Sequence, residues 1–105
     1  MYSGSWEPLP RIQAFLEGET SIRPELSTDD HELVLEIIRR IRPAEVQMVT
    51  RRRYLENLGA LTIAHQMACP VGYVKYLCQQ ASRQLPTITE SIRNELDGNI
   101  LPVNN

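Results

Sequence analysis

Between Leu58 and Leu85 small and apolar residues fall at the spacing two helices need to cross closely around a tight turn. Close crossing requires a small residue in the first helix, and Ala64 supplies it, flanked by Ile63 and Met67. The turn needs a small residue followed by an apolar one; Ala68 and Cys69 fill these places, with Ala68 where such turns usually carry glycine. Pro70 suits the start of a second helix, where a missing N–H costs little. Val74, Leu77 and Ala81 then point back at the first helix. The pattern predicts a helix-turn-helix at residues 58–85, with helices at about 60–67 and 71–85 around Ala68-Cys69-Pro70.

The rest of the chain reads as helical too. Its 105 residues suit one domain with a modest core. Residues 1–10, with Gly4, Pro8 and Pro10, read as an irregular lead-in, and Arg11 to Glu17 as a short helix carrying Ile12, Phe15 and Leu16. Gly18 and Pro24 bracket a loop. Ser27 or Thr28 caps a helix that opens on Asp29, Asp30 and Glu32 and closes in Arg39, Arg40 and Arg42, which suits the helix dipole. Leu33, Leu35, Ile37, Ile38 and Ile41 form its apolar stripe. Pro43 fits the first turn of the next helix, which runs through Val46, Met48, Val49 and Tyr54 to about Asn57 and stops at Leu58-Gly59. Pro86 is expected to end the second helix of the motif. Thr87 then caps a last helix at about 88–96, with Ile88, Ile92 and Leu96 inward, broken by Asp97-Gly98. The expected fold is all-α, a compact bundle of five or six short helices. Residues 1–26 form the lead-in, 27–97 the helical domain and 98–105 a flexible tail.

Charge is unevenly distributed. The net charge is -2, yet residues 1–38 carry -6, residues 39–83 carry +6 and residues 84–105 carry -2. Six of the eleven basic residues lie between Arg39 and Arg53. A basic block in an acidic chain concentrates positive potential where an anion can sit.

If the second helix of the motif enters a major groove, its exposed residues become the readers: Val71, Gly72, Tyr73, Lys75, Tyr76 and Gln79. Gly72 permits close backbone approach. Lys75 suits a guanine edge or a phosphate, and Gln79 suits adenine. Tyr73 and Tyr76 suit phosphates or thymine methyls, although Tyr73 also fits a core position. Arg83 lies further along and suits phosphate. Arg51, Arg52 and Arg53 precede the motif; all three cannot face a core, so at least two are expected at the surface as backbone clamps or as salt-bridge partners for the acidic segment.

Other chemistries find little footing. The only histidines are His31 and His65. His65 and Cys69 are four apart, as metal ligands on a helix are, but no second pair completes a site. No glycine-rich phosphate loop and no nucleophile with a partner base is present, so neither enzymatic activity, a metal nor another cofactor is expected. No apolar run approaches a membrane span, and MYSGSWEPLP lacks the basic and apolar regions of a secretory signal. A cytoplasmic protein with reduced Cys69 and Cys78 is the expectation.

The segment RYLENLGALTIAHQMACPVGYVKYLCQQASRQL resembles region 4 of sigma factors and its relatives, in Tyr54-Leu55, Ile63-Ala64, Cys69-Pro70, Val74, Ala81 and Leu85. Among these it looks most like the small lambdoid-phage Q antiterminators of the phage 21 type. Their Cys-x-x-Gly-Tyr-hydrophobic run is matched by Cys69 to Val74, and their asparagine-rich end by Val103-Asn104-Asn105. The resemblance covers about residues 43–97. It implies a non-enzymatic regulator in a bacterial host cell. Such a protein binds double-stranded DNA near a late promoter, loads onto host RNA polymerase and makes it ignore terminators. Two alternatives stay open: a module that binds RNA polymerase or another regulator without reading DNA, and a dimeric repressor on a palindrome. The antiterminator reading expects a monomer or weak dimer.

Overall fold

The computed structural model describes the backbone of residues 8–100 and the side-chain surroundings of residues 8–95. Among the described residues the chain is all-α: α1 (Pro8–Leu16), α2 (Thr28–Arg39), α3 (Ala44–Thr50), α4 (Ala60–Met67) and α5 (Val71–Ile100). A π-helical turn, Arg51–Leu55, continues α3.

Local chemistry sets most of the boundaries. Among the described residues α1 runs from Pro8, three residues ahead of the expected Arg11, with Pro8 and Pro10 in a turn whose N–H groups need no helical acceptor. It ends at Gly18, which adopts φ +83°: Gly18 N–H donates to Phe15 O (3.2 Å) and Glu19 N–H to Ala14 O (2.8 Å), the paired bonds of a Schellman cap. Ser27 caps α2, its Oγ accepting from Asp30 N–H (3.2 Å). Pro43 stands just ahead of α3 with extended backbone rather than in its first turn. The left-handed residue that stops the π turn is Asn57, at φ +56°, not Gly59, whose extended backbone opens α4. The expected tail lies partly within α5, and residues 101–105, like the opening residues 1–7, lie outside the described residues.

The main departure is at Pro86. Two short helices were expected, separated there; α5 instead runs unbroken through Pro86 for 30 residues. Proline removes the N–H that would bond to the carbonyl four residues back. That carbonyl belongs to Ser82, and it accepts instead from Gln13 Nε2 of α1 (3.1 Å). The apolar stripe of α5 also stays in helical phase across the proline, with Val74, Leu77, Cys78, Ala81, Leu85, Ile88 and Ile92 all buried. The burial of Leu96 is outside the described side chains.

Helix α5 is the spine against which α1, α2, α3 and α4 pack. The stripe above joins Ile12, Phe15 and Leu16 of α1, Leu33, Val34, Ile37 and Ile38 of α2, Val46 and Val49 of α3, and Ile63 and Ala64 of α4 in one core. Phe15 is fully buried, edge-on to Tyr54 with ring centroids 6.2 Å apart. Such a side chain contributes about 1.5–3 kcal/mol, so α1 belongs to the folded unit. Leu35, expected in the stripe of α2, is only half-buried, and Val34 takes the inward place.

Arg40 and Gln84 add polar links between the rest of the bundle and α5. Arg40, after α2, makes a two-pronged ion pair with Glu95 (2.8 Å each) and a bond from Nε to Glu36 (2.9 Å). Those hydrogen bonds raise the Arg40 pKa further above its ordinary value and hold the Glu95 carboxyl below its own. Gln84 brackets the backbone of Arg42, accepting from its N–H (3.0 Å) and donating to its carbonyl.

Candidate nucleic-acid interface

Helices α4 and α5 are joined by three residues, Ala68 to Pro70. Ala68 adopts the left-handed conformation (φ 54°, ψ 47°). Its N–H donates to His65 O (3.2 Å) and Cys69 N–H donates to Ala64 O (3.0 Å), the same pair of bonds that closes α1 at Gly18. Alanine holds this conformation at a cost of about 1–2 kcal/mol. Pro70 O accepts from Tyr73 N–H (3.0 Å), which starts α5. The inward positions expected of the segment are buried: Ile63, Ala64, Val74, Leu77 and Ala81. Met67, Cys69 and Val71 pack partly against them.

On the opposite side of α5, Gly72, Lys75, Tyr76, Gln79 and Arg83 are all exposed. Their spacings of three and four place them in one stripe. Lys75 and Arg83 have no ion-pair partner among the described residues. Val71 is half-buried and faces the core more than the stripe. A Cβ placed on Gly72 would meet nothing within 4 Å, so its glycine leaves the start of the stripe low and open.

Tyr73 borders the stripe and is exposed rather than part of the core (38%). Its hydroxyl donates to Glu45 Oε1 in the first turn of α3 (2.6 Å), and this bond raises its pKa. The ring stacks on that of Tyr76, centroids 6.3 Å apart and 22° from parallel. Glu45 had no place among the residues expected from sequence. It lies 28 positions away, and its packing against α5 is set by the fold rather than by a local pattern.

The arginine triplet is divided among three surroundings. Arg51 is exposed and lines a groove with Leu35, Ile38, Arg39 and Gln47. Arg52 is half-buried and donates to Gln66 Oε1 on α4 (3.1 Å). Arg53 is also half-buried: its guanidinium lies 4.0 Å from the Phe15 ring centroid and donates to Leu58 O (3.1 Å). Only Arg51 is fully at the surface, against the expected two. Arg52 is drawn to α4 by Gln66, and the π turn sets the place of Arg53. In an uninterrupted helix Arg53, seven residues after Val46, would fall in the centre of the buried face. The wider turn brings Tyr54 there instead and leaves Arg53 at the edge. Arg23 steadies the end of that turn, donating to Tyr54 O (2.7 Å).

The basic block is likewise thinner in space than in sequence. Arg39 and Arg40 pair with Glu36, and Arg40 also with Glu95. Arg42 donates to the carbonyls of Arg39 and Ile41 (3.1 Å each). On α5 the positive groups without an ion-pair partner among the described residues are Lys75 and Arg83.

No protein family, no curated protein and no solved structure matches the chain. His65 is exposed and Cys69 half-buried, and no three metal-ligating side chains gather among the described residues. No helix among them is long and apolar enough to cross a membrane.

Proposed function

We propose that this protein is a sequence-specific DNA-binding regulator of transcription, in which α4, the turn at Ala68 and α5 act as a helix-turn-helix. The observation that carries this reading is the exposed stripe Gly72, Lys75, Tyr76, Gln79 and Arg83, set opposite a buried stripe on one helix. Its residue types are those that meet base edges and phosphates in a major groove. Lys75 and Arg83 lack ion-pair partners among the described residues, which leaves their charge available to phosphate. Arg52, near Gln66 of α4, suits a backbone contact beside the groove.

Within that class we favour a phage late-gene antiterminator of the Q type, acting on host RNA polymerase inside a bacterial cell. This rests on the resemblance of residues 43–97 to sigma region 4 and Q proteins. The test is a run-off transcription assay on a template carrying a promoter, its flanking DNA and a downstream terminator. Read-through that rises with added protein supports antitermination. Unchanged termination together with tight DNA binding leaves an ordinary DNA-binding regulator.

A second reading is a protein-interaction module on RNA polymerase. It is favoured by the pairing of Arg39 and Arg40 with Glu36 and Glu95, which shrinks the positive surface of a chain whose net charge is -2. Binding to polymerase without any salt-dependent affinity for duplex DNA would select it.

A further inference from the structure

We infer that Glu45 holds Tyr73 and Tyr76 as a fixed apolar pair that reads the 5-methyl group of thymine. The inference rests on the proposal that α5 meets DNA, and it assigns part of the specificity to a residue outside the α4–α5 segment.

An ionised carboxylate can only accept a hydrogen bond, so the bond from Tyr73 to Glu45 consumes the single phenolic proton. A charge-assisted bond of 2.6 Å is short and strong of its kind. The Tyr73 oxygen is left as an acceptor, and phosphate oxygens are acceptors too. Glu45 also places a negative charge where a phosphate would have to approach. Tyr73 is therefore unsuited to the DNA backbone while Glu45 is in place.

What Tyr73 presents is its ring. That ring stacks on Tyr76, which is 53% exposed, so fixing one limits the freedom of the other. Lys75 lies between them in sequence and is exposed on the same helix. The pair forms a small apolar surface beside polar readers. On the major-groove edges of the bases the apolar feature is the thymine methyl. Glu45 acts as a positioning residue, holding the ring pair in register and keeping it away from phosphate.

The experiment uses the full chain. Binding sites are selected from a random duplex library, and each thymine in the selected site is replaced in turn by uracil, which lacks only the methyl group. Uracil at one or two positions is expected to weaken binding about fourfold per methyl lost. Tyr73→Ala and Tyr76→Ala should remove that penalty while helical circular dichroism is kept. Glu45→Ala should also erase the thymine preference, whereas Glu45→Gln, which retains an acceptor for the Tyr73 hydroxyl, should preserve it. Sites that are selected but tolerate uracil everywhere would overturn the inference and leave the DNA-binding reading standing. A uracil penalty unchanged in both tyrosine variants would overturn it as well. Failure to enrich any site would overturn the DNA-binding reading, and this inference with it.

Discussion

Gln13 Nε2 donates to Ser82 O at 3.1 Å, and Ser82 O is the carbonyl that Pro86 leaves without a helical donor. The Ser82 hydroxyl also donates to Glu17 Oε2 (2.6 Å). Helix α1 and the residue that follows it thus serve the carbonyl and the hydroxyl of the fully buried Ser82, and α5 runs through the proline as one rod.

Removing that donor should be costly only while Pro86 is present. Gln13→Ala leaves the carbonyl unpaired and should destabilise the protein by about 1–3 kcal/mol. In a Pro86→Ala background, the backbone N–H gained at that position restores the helical bond, and the same substitution should cost less than half as much. Urea unfolding of the four proteins of the cycle measures this coupling. Equal costs in the two backgrounds would show that Gln13 does not replace the missing donor.

The left-handed caps at Ala68 and Gly18 should respond in opposite directions. Ala68→Gly relieves a non-glycine residue at φ 54° and should stabilise the protein by about 1 kcal/mol. Gly18→Ala imposes the same strain at φ +83°, where a Cβ would meet nothing within 4 Å, and should destabilise by a similar amount. Thermal melts of both variants test this; a lower melting temperature for Ala68→Gly would refute it.

The arginines of the triplet should separate by role. Arg53→Ala loses the contact with Phe15 and the bond to Leu58 O, and should destabilise by about 1–2 kcal/mol. Arg51→Ala, at an exposed position, should stay within about 0.5 kcal/mol of the parent. Chemical denaturation distinguishes them, and equal effects would mean that the division of the triplet is wrong.

Alkaline pH should weaken the fold. Burial pushes the Cys78 thiol above its ordinary 9.0, opposed by Arg53, and the Tyr54 phenol above its ordinary 10.0, opposed by Arg23. In both cases the folded state holds the proton more tightly than the unfolded chain. The stability this contributes is full below the unfolded values and is lost as pH rises toward the folded ones. Urea midpoints should therefore fall as pH rises from about 9 upward, and Cys78→Ala should flatten the first part of that fall. A midpoint that rises over this range would contradict the sign.

These cases also mark what was legible in the sequence. Ser27, Gly18 and Pro70 act on backbone groups within a few residues, so the start of α2, the end of α1 and the start of α5 followed from local chemistry. The buried stripe of the 58–85 segment was legible for the same reason, since helical spacing alone decides which residues face inward. Pro86 misled because its local meaning is a break and its remedy, Gln13, lies on α1, 69 residues from the Ser82 carbonyl it serves. The unbroken phase of Ala81, Leu85, Ile88 and Ile92 was the available signal of one helix. The half-buried place of Arg53 was not legible because it depends on a π turn that no residue type in RRRYL announces and on Phe15 of α1, 38 residues earlier. Glu45 was invisible because only the packing of α3 on α5 brings it to Tyr73.

Contact between DNA and the exposed stripe of α5 is what the proposed function requires. Its most direct test is the salt dependence of duplex binding for the parent protein, Lys75→Gln and Arg83→Gln, followed by fluorescence anisotropy. Affinity is expected to fall steeply with salt, with a log–log slope shallower by about one in each variant. Affinity independent of salt, or slopes identical in all three proteins, would contradict it.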